Sequence, residues 1–305
     1  MKLLSAFFTL VRWPNLLFIA LTQLLFHFCV YTPLFGNNYS ITLIWIIIAS
    51  VFIAAAGYII NDYFDLNIDQ INKPQKNVFA RTINRRWAII WHLVLSIAGI
   101  MATVVAVGLH KWYLVLANFG CVALLWFYST SFKRQLIIGN VVISLLTAWT
   151  VLILFFVYTE PRQAIMGSDE NTVKLFRTAF LYAGFAFISS LIREAVKDME
   201  DMEGDARYGC RTLPIVAGIR ATKIYTAIWV IVLLAALIIL QLYVMQFGWW
   251  IAIIYSLLLI IAPLVYILSQ LSKAMNSKDF HSLSNATKLV MFSGILSMIF
   301  FKIYF

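Results

Sequence analysis

Gly57-Tyr-Ile-Ile-Asn61-Asp62-Tyr-Phe-Asp65-Leu-Asn-Ile-Asp69-Gln-Ile-Asn-Lys73 closes an apolar run that begins near Ile41. It sets three carboxylates where a membrane-length segment meets water. On a helix, at ~100° per residue, positions 62, 65 and 69 share an arc of roughly 60°. Carboxylates so placed repel one another unless a cation sits among them. Arg193-Glu-Ala-Val-Lys197-Asp198-Met-Glu-Asp201-Met-Glu-Gly204-Asp205 repeats the spacing with Asp198, Asp201 and Asp205. The chain has 13 acidic residues, and nine stand in these two stretches: Asp62, Asp65, Asp69, Glu194, Asp198, Glu200, Asp201, Glu203 and Asp205. A lone carboxylate at a helix end is usually a solvated surface group. Six with matched spacing in so acid-poor a chain point instead to a divalent metal. Mg²⁺ takes oxygen ligands and bridges carboxylates to substrate phosphates. Glu200 and Glu203 alternate with the aspartates and point elsewhere.

The composition agrees with a membrane setting. Of 305 residues, 63% are hydrophobic and 12% charged, where a soluble domain carries about 25% charged residues. Mean hydropathy is +0.89. The length suits one polytopic, all-α bundle: a single transmembrane domain over 1–305, with 1–15 as an interfacial segment and site loops at about 61–86 and 193–218. Nine apolar segments are expected to surround a central cavity: about 16–30, 41–60, 87–109, 112–128, 136–157, 173–191, 219–246, 249–268 and 287–305. Trp13, Trp87, Trp112, Trp249 and Trp250 fall at segment ends, as interfacial aromatics do. Cys29, Cys121 and Cys210 have neither metal-ligand nor CxxC spacing and read as packing residues. His27, His92, His110 and His281 form no pattern.

The net charge of +10 reflects topology rather than nucleic-acid binding, because the basic residues are scattered over short connections. With the N-terminus inside, 18 of the 23 Lys and Arg fall on inner segments and five on outer ones. That bias sets both acidic stretches at the cytoplasmic face of the cell (inner) membrane and the C-terminus outside.

Two acidic faces at one membrane surface suit Mg²⁺ ions that neutralise a polyanion, and a diphosphate is the natural candidate. Cations interleave with the acids: Lys73 and Lys76 after the first set, Arg193 and Lys197 within the second, Lys133 between them. Metal and positive charge would stabilise a departing diphosphate. The apolar, aromatic-rich bundle suits a polyprenyl tail. Metal-assisted loss of diphosphate would give an allylic cation, shielded by aromatic faces and captured by an acceptor. No serine or cysteine nucleophile constellation competes with this reading. Lys133 is read equally well as a topology-setting cation. Arg12 and Asn15 are explained as well by capping and topology. Asn61 would cap a helix, but its place beside Asp62 favours a site role.

The pattern Asn61-Asp62-x-x-Asp65-x-x-x-Asp69 resembles the first signature of the UbiA superfamily of intramembrane prenyltransferases. Asp198, Asp201 and Asp205 resemble its second. Arg12-Trp-Pro-Asn15 is similar to the family's RxxN motif at helix one, and Tyr128-Ser-x-x-x-Lys133-Arg134 with Gly139-Asn140 to its YS…KR…GN segment. Nine helices are the family's usual architecture. The resemblance implies Mg²⁺-bound polyprenyl diphosphate in a central cavity and a membrane-associated acceptor. The six aspartates would be catalytic and metal-binding. Asn61, Arg12, Asn15, Lys73, Lys76, Tyr128, Lys133, Arg193 and Lys197 would bind substrate. Within the family, both acidic stretches and Thr212-Leu-Pro214 look most like enzymes that prenylate geranylgeranylglyceryl phosphate. Where that group usually reads RPIPSG, this chain has Lys76-Asn-Val-Phe-Ala-Arg81. A hydroxybenzoate or dihydroxynaphthoate of quinone synthesis, or haem, therefore stands as an alternative acceptor. An ion-coupled transporter is the reading of another class. It would place ionisable groups at mid-membrane depth, whereas here the acids cluster at segment ends.

Overall fold

The computed structural model describes residues 2–36, 38–72, 85–160 and 169–304. Side chains 2–5 and 69–72 fall outside that description, as do residues 73–84 altogether. The sequence-predicted Lys73 and Lys76, and the side chain of Asp69, therefore lie outside the described residues.

Among the described residues the fold is all-α, with nine helices long and apolar enough to cross a membrane. In chain order they are α2 (Trp13–Phe35), α3 (Ser40–Asn72), α4 (Arg85–Val107), α5 (Trp112–Thr130), α6 (Ile138–Tyr158), α7 (Glu170–Glu200), α10 (Gly218–Met245), α11 (Trp250–Lys273) and α12 (Ser277–Tyr304). The short α1 (Lys2–Leu10) precedes them, and α8 (Met202–Arg207) and α9 (Leu213–Val216) link α7 to α10. Outward faces remain apolar: Ile97, Val105, Phe119, Ile231 and Ile239 are all more than half exposed, which suits hydrocarbon and not water.

The two acid-bearing helices organise the halves. α3 packs on α2, α4, α5 and α8, and α7 packs on α6, α10 and α12. Small residues permit the closest approach. Gly99 of α4 sits against Ala49 and Ile53 of α3, where an added Cβ would come within 2.8 Å of Ile53. Close backbone packing of this kind replaces hydrophobic collapse as the cohesive force in lipid. α1 folds back so that Ala6, Leu10 and Val11 bury against Ala55, Ile59 and Leu66 of α3 and Ala88 of α4.

Several expected segments end elsewhere. α3 runs unbroken through the first acidic stretch to Asn72, so 61–72 is helix and not loop. α7 likewise continues to Glu200. The last span starts ten residues before the expected 287. Asn276 and Asp279 form a reciprocal capping box, which nucleates the helix in a polar stretch that hydropathy alone passes over.

A small cavity opens in the middle of the bundle, bordered by Thr22, Thr147, Thr150, Ser189, Phe185 and Ile295. Ser189 lies nine residues before Asp198, so the cavity sits about 14 Å along the axis from the acidic end. Gly294 of α12 leaves room for the ring of Phe185, which any Cβ at 294 would overlap.

Opposite the acidic end, the buried Lys111 donates its Nζ hydrogens to the carbonyls of Phe156 (3.2 Å), Val157 (2.9 Å) and Thr159 (3.2 Å) and pairs with Glu160 at 3.1 Å. A turn residue in the sequence is thus a cationic C-cap for α6. We expect Lys111→Met to lower stability by roughly 2–4 kcal/mol, read as thermal unfolding in detergent, because three buried carbonyls lose their donor. Unfolding at the wild-type temperature would refute the capping role.

Candidate active site

Asp62 and Asp65 stand one helical turn apart on α3, and each meets a cation from a different element. Arg12 Nη2 donates to Asp62 Oδ1 at 2.6 Å. Arg12 is held for this in the left-handed region, φ 52° and ψ 52°, at the junction of α1 and α2, a conformation non-glycine residues adopt at some cost. Its guanidinium also lies over the Tyr58 ring, 5.1 Å from the centroid. The Asp62 carboxylate raises the arginine's affinity for its proton above the ordinary value against the opposing cost of burial. Asp65 is buried, forms an ion pair with Lys133, and accepts from Asn61 Nδ2 at 2.8 Å. The Asn61 carbonyl oxygen Oδ1 is buried beside these carboxylates and has no donor among the described residues.

The second stretch arrives from α7. Asp198 Oδ2 accepts from Asn140 Nδ2 at 2.8 Å, across 58 residues. Asn140 opens α6 directly after Gly139, and Gly139 has no room for a side chain. A Cβ there would lie 2.8 Å from Lys133 Cα and 2.9 Å from Phe132 O. The tight Phe132–Arg134 turn thus delivers Lys133 to Asp65 while its neighbour Asn140 reaches Asp198. The Arg134 carbonyl accepts the Arg211 N–H at 2.8 Å and ties this turn to the segment after α8.

The two acidic stretches therefore share one end of the bundle. α8 packs directly on α3, and the Tyr128 hydroxyl lies within electrostatic reach of Asp65, Asp198 and Glu194. Cys210, between α8 and α9, feels Asp205 and Asp65 together with Lys133 and Arg134. Burial is the main cause that pushes its thiol above the usual range, which keeps it protonated and unsuited to nucleophilic work.

Two expectations change. A bend at Asp201 separates α7 from α8, so Asp198, Asp201 and Asp205 are not on one straight helix as the first three are. The chain leaves α7 there because Asp201 takes a bridge-region conformation, φ −93° and ψ 4°. Nor do three carboxylates converge on a point among the described residues: Asp62, Asp65 and Asp198 each face a nitrogen donor. Arg193 and Lys197 both turn to the buried Glu194, at 3.0 and 3.4 Å. Asn15 accepts from Lys288 Nζ at 3.1 Å. Glu200 meets His281 at 2.7 Å and Glu203 meets Arg207 at 2.8 Å, so both do point away. Sequence reasoning gave Glu194, Asn140 and Lys288 no site role. Glu194 stood in the second acidic stretch and Asn140 in the Gly-Asn pair of the first turn of α6; Lys288 had no signal.

Hard oxygen donors and facing cations gather at one end of an apolar bundle with nine membrane-length helices among the described residues, the arrangement of an integral membrane protein with a polar site at one face. The chain belongs to the UbiA prenyltransferase family, whose model matches residues 20–293. Its relatives include digeranylgeranylglyceryl phosphate synthases. The one from Methanosphaera stadtmanae is 28% identical over 250 residues, covering 81% of this chain and 83% of the relative. The one from Korarchaeum cryptofilum is 31% identical over 247 residues, covering 80% of each. Among solved structures, a study of digeranylgeranylglyceryl phosphate synthase in membranes gives a chain with TM-score 0.64 and 22% identity, covering 98% of this chain and 99% of the other. A UbiA homolog from Archaeoglobus fulgidus bound to GPP and Mg²⁺ gives TM-score 0.59 and 17% identity, covering 96% and 99%.

Proposed function

We propose that the protein transfers a geranylgeranyl group from its diphosphate to geranylgeranylglyceryl phosphate, with Mg²⁺ held between the acid-bearing ends of α3 and α7. The observation that carries this reading is that Asp62 and Asp65 of α3 and Asp198 of α7 lie at one end of the bundle, each beside a nitrogen donor. The names of the relatives support the choice of acceptor.

The residues fit the metal. Asp62, Asp65 and Asp198 offer the hard oxygens that Mg²⁺ prefers, and the Asn61 carbonyl is a buried acceptor without a donor among the described residues. Asp69, Asp201 and Asp205 complete the proposed set. Held by these residues, Mg²⁺ would supply charge neutralisation for a departing diphosphate. Lys133 and Lys197 then supply charge-assisted hydrogen bonds to the leaving oxygens, with Lys73 and Lys76 as further donors. Arg12 orients Asp62. The Tyr128 hydroxyl, between the two acidic helices, is a neutral donor toward the same oxygens. The apolar bundle excludes water from the reacting carbon. The basic residues support an orientation with this end, and the N-terminus, cytoplasmic.

The test is incubation of the purified protein with geranylgeranyl diphosphate, Mg²⁺ and a panel of acceptors, with products read by mass. We expect a doubly geranylgeranylated glycerol phosphate, abolished by EDTA and restored by Mg²⁺. Prenylation of only an aromatic acceptor or haem would overturn the acceptor; product formation unaffected by EDTA would overturn the metal site.

A further inference from the structure

Among the described residues, Lys288 has no carboxylate partner. Lys288 lies eleven residues into α12, in the helix interior and not in a loop. Among the described residues its Nζ meets only neutral groups: Asn15 Oδ1 at 3.1 Å and the face of Phe18, 5.3 Å from the centroid. Arg193 is near enough for the two positive charges to act on each other. That arginine donates from Nη1 to Glu194, but its Nε is buried with no acceptor among the described residues. Two cations facing each other are unfavourable unless an anion joins them, and a buried N–H without a partner costs about 1–3 kcal/mol. Asn15 lies in the first turn of α2, three residues after Arg12, so this cluster borders the Arg12–Asp62 pair. Away from the acidic end the path is apolar. Phe18 packs on Phe292 with centroids 5.3 Å apart, and Ile295 and Thr22 beyond them border the mid-bundle cavity.

We propose that Lys288, Arg193 and Asn15 form a second anion site, for the phosphate monoester of the lipid acceptor. The acceptor's tail would lie along Phe18 and Phe292, and the metal-bound diphosphate would occupy the neighbouring acids. Lys288 and the Arg193 Nε donate to phosphate oxygens, and Asn15 keeps Lys288 in place. This rests on the phosphate-bearing acceptor proposed above.

Lys288→Met keeps the stem and removes the charge. We expect KM for geranylgeranylglyceryl phosphate to rise about 10- to 100-fold, the loss of charge-assisted phosphate contacts, while KM for geranylgeranyl diphosphate stays within two-fold. Lys288→Arg should recover most of the loss, which a purely packing role would not predict. Equal acceptor KM in wild type and Lys288→Met overturns the site. Should wild type itself give no product with this acceptor, the functional reading fails. The site is then judged by direct binding of a phosphatidic acid probe in detergent micelles: tighter binding by wild type than by Lys288→Met sustains it, and equal binding overturns it.

Discussion

Asp62→Asn is expected to lower prenyl transfer by at least ~10²-fold with the protein still folded. The carboxylate is the oxygen nearest the orphaned Asn61 carbonyl in sequence and the partner of Arg12 at 2.6 Å. Asparagine preserves the volume and one oxygen, so packing against Tyr58 and Arg12 survives. What disappears is the negative charge that pairs with Arg12 and that is proposed to bind the metal. Loss of one preorganised electrostatic group from a catalytic site typically costs about 10²–10³ in rate. The stability effect should be small by comparison, because the Arg12 side chain is still 38% exposed and its pair with Asp62 is screened by water. Initial rates at saturating Mg²⁺, alongside thermal unfolding, separate the two. Transfer within ten-fold of wild type would remove Asp62 from the proposed machinery.

Gly139→Ala should damage both acidic helices through one methyl group. The added Cβ would collide with backbone atoms of Phe132 and Lys133, which cannot rotate aside. The turn must shift, and with it go the Lys133 contact to Asp65, the Asn140 bond to Asp198 and the Arg134 carbonyl that accepts from Arg211. Displacement of positioning groups by about 1 Å can cost 10²-fold in rate, and overpacking of a tight site costs about 1–3 kcal/mol. We expect transfer to fall about 10²-fold, together with a lower unfolding temperature. Gly120→Ala on α5, where the methyl meets nothing within 4 Å, is the matched control and should be neutral. Wild-type rates in Gly139→Ala would show that the turn does not position Lys133 and Asn140.

The architecture was legible wherever it depends on local periodicity. Apolar runs of bilayer length gave the nine spans, and acids at i, i+3 and i+7 declared a shared face on α3. The partners of those acids were hidden, since Arg12 and Asn140 lie 50 and 58 residues from Asp62 and Asp198. Such pairings arise from helix packing, which a one-dimensional pattern does not contain. The bend at Asp201 was hidden too, because the acid spacing runs through it unchanged. Lys288 was misplaced for a different reason: hydropathy put it at the mouth of the last span, while the Asn276–Asp279 cap starts the helix ten residues earlier. Lys111 lies in a short connection, and nothing local marks it as the donor to the α6 carbonyls 45 to 48 residues away.

Phe185 occupies the space that Gly294 leaves empty, well over two turns from any aspartate of the site. If the tail of the prenyl donor extends toward that ring, the length of product a lineage makes is governed by a pair of residues that take no part in bond breaking. Tail length is then free to drift by single exchanges at 185 or 294 while the ionic half stays under strict selection. Descendants with identical acid signatures would differ in the lipids they build, and the two traits would be inherited as separate modules.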